Sequence, residues 1–263
     1  MAYDIAGRRA LVTGASSGIG AGLAVALAEA GATVGLASRR TERLQAVLDR
    51  CLEHAPGSRL WSVDLADPAA VDGLASSAVD ELGGVDLLVN CAGMPKRRHV
   101  TRLDASTVER VMQVNFLSAA RLTLALLPQM LERGEGCIVN VSSVAATLSS
   151  PGETAYDASK AALSAFSEAM AVDLWDTGVK VMAVYPGVVD TELFHLPDND
   201  PAPDAVTPIT VDEAVATIVA ALRSEALQVY VPEWFSKLAK DKAANVEAFL
   251  EGMADFVRSK SAG

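Results

Sequence analysis

Aromatic side chains are scarce in this chain, 5% of 263 residues. Its core must therefore be built from alanine, valine and leucine, the material of helices packed on a parallel sheet. Cysteine is scarcer still. Cys51, Cys91 and Cys137 are an odd, scattered set with no close pair, which excludes a disulfide framework and reads as reduced thiols of a cytoplasmic protein. His54, His99 and His195 are equally dispersed, so no metal-ligand spacing arises and no metal is expected. Basic residues are outnumbered, 22 Lys and Arg against 33 Asp and Glu, for a formal charge of −11. That balance excludes nucleic acid and anionic membrane as general partners, though not a local basic pocket. Met1-Ala2-Tyr3-Asp4-Ile5 lacks a basic start followed by an apolar run, so no secretory signal is expected. No stretch reads as long and apolar enough to span a bilayer.

What is present is abundant apolar residue, 51% of the chain, and a rhythm. Short apolar runs at 9–13, 33–37, 59–63, 85–90, 136–141, 179–185 and 228–231 read as strands. Segments of helical period lie between them, near 18–30, 41–54, 68–82, 104–132, 153–177 and 211–224. Several strands are apolar on both faces, as in a sheet covered on each side. Strand–helix alternation with right-handed crossovers then predicts an α/β fold: one doubly wound, Rossmann-type parallel sheet of about seven strands. No low-complexity linker interrupts it, so 1–263 reads as a single domain, with a core over 5–232. Residues 195–208 hold four prolines and three aspartates, too many breakers for a continuous element. They read as a surface loop or as a lid over substrate. The tail, 233–260, reads as one amphipathic helix with Val246, Phe249, Leu250, Met253 and Val257 on a stripe and Glu247, Glu251 and Asp255 opposite. It is expected to pack on its own core or on a second subunit.

The first strand runs into Thr13-Gly14-Ala15-Ser16-Ser17-Gly18-Ile19-Gly20 and then a helix. This is the context of a phosphate-binding loop: glycines allow close backbone approach, and a helix N-terminus offers free N–H groups to a pyrophosphate. Gly14, Ser16, Ser17, Gly18, Ile19 and Gly20 are the candidate dinucleotide contacts. The second strand ends in Ala37-Ser38-Arg39-Arg40, with no acid where an NAD site places one for the ribose hydroxyls. A guanidinium can hold a 2′-phosphate through paired charge-assisted bonds, and Ser38 can add a hydroxyl. Ser38, Arg39 and Arg40 therefore predict NADP(H) over NAD(H).

Tyr156 and Lys160 stand four residues apart, one helical turn, and Ser143 lies thirteen residues before the phenol. Asp64-Leu65 follows the third strand and Asn90-Cys91-Ala92-Gly93 the fourth. Asn115 falls in the long fourth helix, and Pro186-Gly187-Val188-Val189-Asp190-Thr191 closes the sixth strand. With these motifs in order, the chain resembles the classical short-chain dehydrogenase/reductase family from about residue 5 to 232. The resemblance implies a catalytic set of Asn115, Ser143, Tyr156 and Lys160. Tyr156 would exchange a proton with the substrate oxygen, Lys160 would favour the phenolate and bind nicotinamide-ribose hydroxyls, and Ser143 would bond the carbonyl oxygen. Asn115 would hold a water linking Lys160 to solvent. The resemblance further assigns Asp64, Leu65, Asn90, Ala92, Gly93, Pro186, Gly187, Val189 and Thr191 to the cofactor, Thr191 and the Val189 backbone fixing the carboxamide.

The reaction so implied is hydride transfer between nicotinamide and a carbonyl/alcohol pair, a small molecule of lipophilic ketone or aldehyde type. Ser143, Ala145, Glu153, Val188 and Phe194 are its candidate contacts, with walls from 94–100, 145–148 and 193–196. Lys96-Arg97-Arg98 reads as a solvated basic face rather than a contact for an acidic substrate group. Cys91 reads as a buried apolar substitute and not a nucleophile, and Asp86 as a carboxylate that stabilises its strand. Two departures from the family stand out. Ala145-Ala146 follows Ser143 where Ala-Gly is frequent, which would narrow the pocket. The closing Val-Asp-Gly-Gly pattern is missing, so a homodimer, or a homotetramer built differently, is expected. Two alternatives remain open: a non-catalytic NADP(H)-binding sensor or scaffold, and an epimerase or dehydratase on the same frame.

Overall fold

Alternate residues of the strands feed two separate cores, one on each face of the sheet. In β1 (Arg9–Thr13), Ala10 and Val12 enter one core and Leu11 the other. In β4 (Leu87–Asn90), Leu87 and Val89 enter the first and Leu88 the second. This period of two on doubly covered strands is why the sequence shows continuous apolar runs. The computed structural model describes residues 3–200, 207–224 and 226–261.

The sheet is wholly parallel and seven-stranded. With β2 (Thr33–Ser38), β3 (Arg59–Ser62), β5 (Gly136–Val141), β6 (Val179–Pro186) and β7 (Gln228–Val231), the order is β3-β2-β1-β4-β5-β6-β7. The register pairs Val12 with Leu36 and Val89, and Val89 with Val139. The chain moves outward from β1 in both directions, so the crevice between β1 and β4 is the topological switch point, where open α/β sheets bind ligands.

The first face is covered by α1 (Gly18–Glu29), α2 (Thr41–Leu52) and α8 (Val211–Leu222), through Leu23, Leu27, Leu44, Leu48 and Ile218. The second is covered by α3 (Pro68–Leu82), α5 (Ser118–Arg133) and α7 (Thr154–Asp173), through Leu74, Ala78, Leu122, Leu126 and Met170. Local signals set the boundaries. Asp67 caps α3, accepting from Ala69 N at 2.9 Å, with Pro68 in the first turn and Gly83 left-handed at the end. Thr210 and Glu213 form a reciprocal capping box on α8. Asp86 accepts from the Arg9 backbone N–H and guanidinium, the strand-stabilising role expected of it.

Three expectations change. The helix read over 104–132 is divided into α4 (Ala105–Met112), a π-helical turn at Gln113–Leu117, and α5. Among the described residues the run Ala105–Arg133 is, by length and composition, apolar enough to cross a bilayer, which corrects the reading that no stretch is. Here it lies against the domain, with Val111, Leu122, Leu126 and Met130 buried. The tail is two helices, α9 (Phe235–Ala244) and α10 (Val246–Ser261), broken at Asn245. Helix α9 belongs to the core: Phe235 is buried against Gly187, where a Cβ would lie 2.2 Å from its ring. Helix α10 lies against α9 and leaves Val246, Leu250 and Val257 exposed. A short helix α6 (Ala145–Leu148), unforeseen, follows β5. Beyond β6 the chain turns away and returns to pair Ile209 with Val189, Ile209 N–H donating to Val188 O at 3.0 Å and Asp190 N–H to Ile209 O at 2.9 Å.

Candidate active site

A continuous cleft of about 530 Å³ opens above the C-terminal strand ends at this switch point. Its floor at one end is the β1–α1 turn. Gly14 has φ +70°, and a Cβ there would stand 2.8 Å from Ala92 Cα and 2.9 Å from Ala92 N. Only glycine fits, because the loop after β4 crosses directly over it. Thr13 ties the two loops, its Oγ1 accepting from Cys91 N at 3.1 Å and Ala92 N at 3.2 Å. Helix α1 starts at Ser17 with no side-chain cap bond and no acid in its first turn. Its free N–H groups and partial positive charge suit a phosphate. Ser16, Ser17, Gly18, Ile19 and Gly20 all line the cleft.

Ser38, Arg39, Arg40, Asp64 and Leu65 form the far end. Ser38 Oγ donates to Ser16 Oγ at 2.8 Å, and Arg40 Nη2 reaches Ser16 Oγ at 2.9 Å and Ser17 Oγ at 2.7 Å. The Arg39 guanidinium, exposed on the same rim, has no hydrogen-bond or ion-pair partner among the described residues. Asn90 does not face the cleft. Its amide donates to Thr123 Oγ1 at 3.1 Å and Asn140 Oδ1 at 2.8 Å, beneath the strand ends.

At the other end lie Ser143, Tyr156 and Lys160. Helix α7 puts the Lys160 ammonium on the same face as the phenol, 5.8 Å from the ring centroid. Lys160 Nζ donates to Val141 O at 2.8 Å, and burial pushes its pKa down to about 8. Burial, reinforced by the Glu153 carboxylate, holds the Tyr156 phenol above its ordinary value against a hydrogen bond with Ser143 that favours the phenolate. Both adjacent serines line the cleft, but the Ser142 hydroxyl is spent on Lys160 O, 2.9 Å, and on Ser164 Oγ, 2.9 Å, whereas Ser143 Oγ accepts from Ala145 N at 3.1 Å. Asn115 lies in the π-helical turn, a frequent mark of functional sites. It is buried behind the cleft wall: Oδ1 accepts from Met94 N at 2.7 Å, and Nδ2 donates to Met94 O at 3.0 Å and Ser159 Oγ at 2.9 Å. Pro186, Gly187, Val189 and Thr191 rim the cleft from β6, and Ala92 and Gly93 from the opposite loop.

With this geometry in view, residues 8–201 match the family model described as short chain dehydrogenase. The chain belongs to the short-chain dehydrogenase family. It is 44% identical over 199 residues to an uncharacterized oxidoreductase of Myxococcus xanthus, a match covering 74% of this chain and 77% of that one. It is 41% identical over 192 residues to a short chain dehydrogenase of Pseudocercospora fijiensis, covering 72% of this chain and 62% of that longer protein. Among solved structures, a short chain dehydrogenase from Burkholderia cenocepacia in complex with NADP superposes with a TM-score of 0.80 at 32% identity, covering 95% of this chain and 98% of that one.

Around Ser143 and Tyr156 the lining of the cleft is mixed. Ala145 and Val188 supply apolar wall, with Met94, Leu193 and Leu196 beside them. The Phe194 side chain lies outside the described residues. Glu153 lines the same end, and its carboxyl, raised by burial, pairs with Arg97 Nη1 at 3.3 Å. The reading of Lys96-Arg97-Arg98 as a solvated face is therefore corrected. Lys96 and Arg97 are 5% and 4% exposed. Lys96 Nζ pairs with Asp198 at 2.6 Å, Arg98 also pairs with Asp198, and Arg97 Nε donates to Asp200 O at 3.0 Å. Asp198 and Asp200 belong to the segment 195–208, which reads from sequence as a surface loop or a lid over substrate. Arg110, Val114 and Glu192 also line the site without having been singled out. For Arg110 and Val114 the signal was their i, i+4 spacing; for Glu192 it was adjacency to Thr191. Cys91 has its thiol pushed up to about 11 by burial, which keeps it unreactive. Among the described residues no cluster could hold a metal ion.

Proposed function

We propose that this oxidoreductase is an NADP(H)-dependent reductase/dehydrogenase that interconverts a carbonyl and an alcohol on a small, lipophilic ketone or aldehyde. The observation that carries the reading is one cleft joining a helix N-terminus without a side-chain cap, and an Arg39 with no partner among the described residues, to the Ser143–Tyr156–Lys160 group. A dinucleotide fits the residues present: the glycine turn admits close backbone approach, and Ser38-Arg39-Arg40 at the end of β2 carries no carboxylate to repel a 2′-phosphate. The NADP held by the Burkholderia relative supports the same choice. When bound, the cofactor gives hydride to the substrate carbon or takes it away.

The chain's own residues manage the oxygen. Ser143 Oγ, at the mouth of α6, donates a hydrogen bond that fixes the carbonyl oxygen beside Tyr156. Tyr156 Oη delivers its proton to that oxygen in reduction and recovers it in oxidation. Lys160, charged below about pH 8, stabilises the phenolate left behind. Asn115, clamping Met94 to Ser159, sets the distance between the cleft wall and α7. Met94, Val188, Leu193 and Leu196 exclude water around the substrate's apolar part.

Three free cysteines support a reducing, cytoplasmic setting. The same reading includes a homodimer or homotetramer, as the family resemblance implies. The test of function is NADPH consumption against a panel of aldehydes, ketones, ketosteroids and β-keto thioesters. Tyr156→Phe is expected to lose activity by about 10²–10⁴-fold, the scale of general acid catalysis, while keeping NADPH affinity. Tight NADPH binding with no turnover on the panel would instead favour the sensor reading.

A further inference from the structure

Glu192 follows Thr191 and opens the short turn Glu192–His195 that leaves the cleft. Its carboxylate reaches across the cofactor end to the guanidiniums of both Arg40 and Arg43, and bonds the Ser17 hydroxyl. Arg40 spends its remaining nitrogens on the glycine turn, Nε to Ser16 Oγ at 3.2 Å and Nη2 to Ser17 Oγ at 2.7 Å. The turn after β1, the start of α2 and the turn after β6 thus converge on one carboxylate. They do so beside an α1 N-terminus that has no acid of its own. Two guanidiniums, a serine hydroxyl and a helix start are the donor set that proteins offer to phosphate. Here that set is satisfied from within the chain. Asp64, the other acid near this end, turns back on its own loop, accepting from Ala66 N at 3.0 Å.

Resting on the NADP(H) reading above, we infer that Glu192 is a built-in competitor for the cofactor's 2′-phosphate. Arg39, without a partner among the described residues, meets the phosphate first. Arg40 and Arg43 then pass from a monoanionic carboxylate with two oxygens to a phosphate with three oxygens and up to two charges. Glu192 is released in exchange, and the turn it opens carries Leu193 and leads to Leu196 on the substrate wall. Occupation of the adenosine end is thereby transmitted to the substrate end, and affinity for the phosphorylated cofactor is held below what three arginines would give. Arg43, Arg40 and Ser17 outweigh the effect of burial and keep the Glu192 carboxyl at about 2, so the competition operates throughout the neutral range.

Calorimetric titration of wild type and Glu192→Gln with NADPH, adenosine 2′,5′-bisphosphate and adenosine 5′-monophosphate tests this. The variant is expected to bind the first two up to about fivefold more tightly, the scale of a lost surface ion pair, with the monophosphate unchanged. In wild type, amide exchange over 192–196 is expected to rise on adding the bisphosphate and not the monophosphate. Equal or weaker binding of the bisphosphate by Glu192→Gln, or unchanged exchange at 192–196, overturns the inference alone. Failure of wild type to bind either NADPH or the bisphosphate overturns the cofactor reading, and the inference with it.

Discussion

Arg39 and Asp157 are the two residues whose behaviour tests the site most directly. Arg39→Ala is expected to weaken NADPH binding by about 1.5–3 kcal/mol, the worth of a hydrogen bond to a charged group. NADH binding should stay unchanged, and fluorescence titration of both cofactors checks it. Asp157, next to Tyr156, has its carboxyl raised to about 7 by burial and by Glu153, against a bond from Ser150 N at 2.6 Å. The folded chain therefore keeps a proton that the unfolded chain has already released by about pH 4. Stability contributed by that proton is lost as pH rises through about 7. Asp157→Asn cannot ionise, so its melting temperature relative to wild type is expected to climb between pH 4 and 7 and level off above. Thermal melts at pH 5 and 8 decide. Tyr156 and Lys160 were legible because both fall on one helix face at a fixed local spacing. Lys96 and Arg97 were not. Their burial depends on Asp198 and Glu153, 102 and 56 residues distant, and no local pattern encodes such partners.

Elements were legible where period and caps agree, as in α3, and misread where tertiary contacts decide. The π-helical turn at Gln113–Leu117 has no breaker in its sequence; Asn115 is held there by bonds to Met94 and Ser159, which come from other parts of the chain. The break at Asn245 likewise divides the tail, and the expected stripe from Val246 to Val257 lies wholly within α10. Helix α8 offers the cleanest test at this scale. Thr210→Ala removes the capping box and is expected to cost about 1 kcal/mol in urea unfolding. Val215 of α8 packs so closely on α1 that a Cβ at Gly22 would lie 2.7 Å from it. Fraying of α8 should therefore also loosen α1, which amide exchange can follow.

The whole molecule is two cores on one sheet, and this was the most legible level. Doubly buried strands declare themselves as unbroken apolar runs, and parallel connections admit essentially one handedness. Leu126, fully buried in the α3–α5–α7 core, is expected to cost about 2–5 kcal/mol on Leu126→Ala, measured by denaturant unfolding. The route of the chain beyond β6 was not legible, because its ends are joined by a bridge between distant residues. That bridge, Val189 with Ile209, has a consequence for descent. A segment tied at its base can lengthen or shorten at a cost that grows only with the logarithm of its length. Insertions, deletions and exchanges between Glu192 and Ile209 can therefore accumulate in a lineage without disturbing the strand ends, provided the buried Lys96 and Arg97 keep partners like Asp198 and Asp200. On the function proposed here, new substrates could be acquired by rewriting one excursion of the chain while the dinucleotide site is inherited intact.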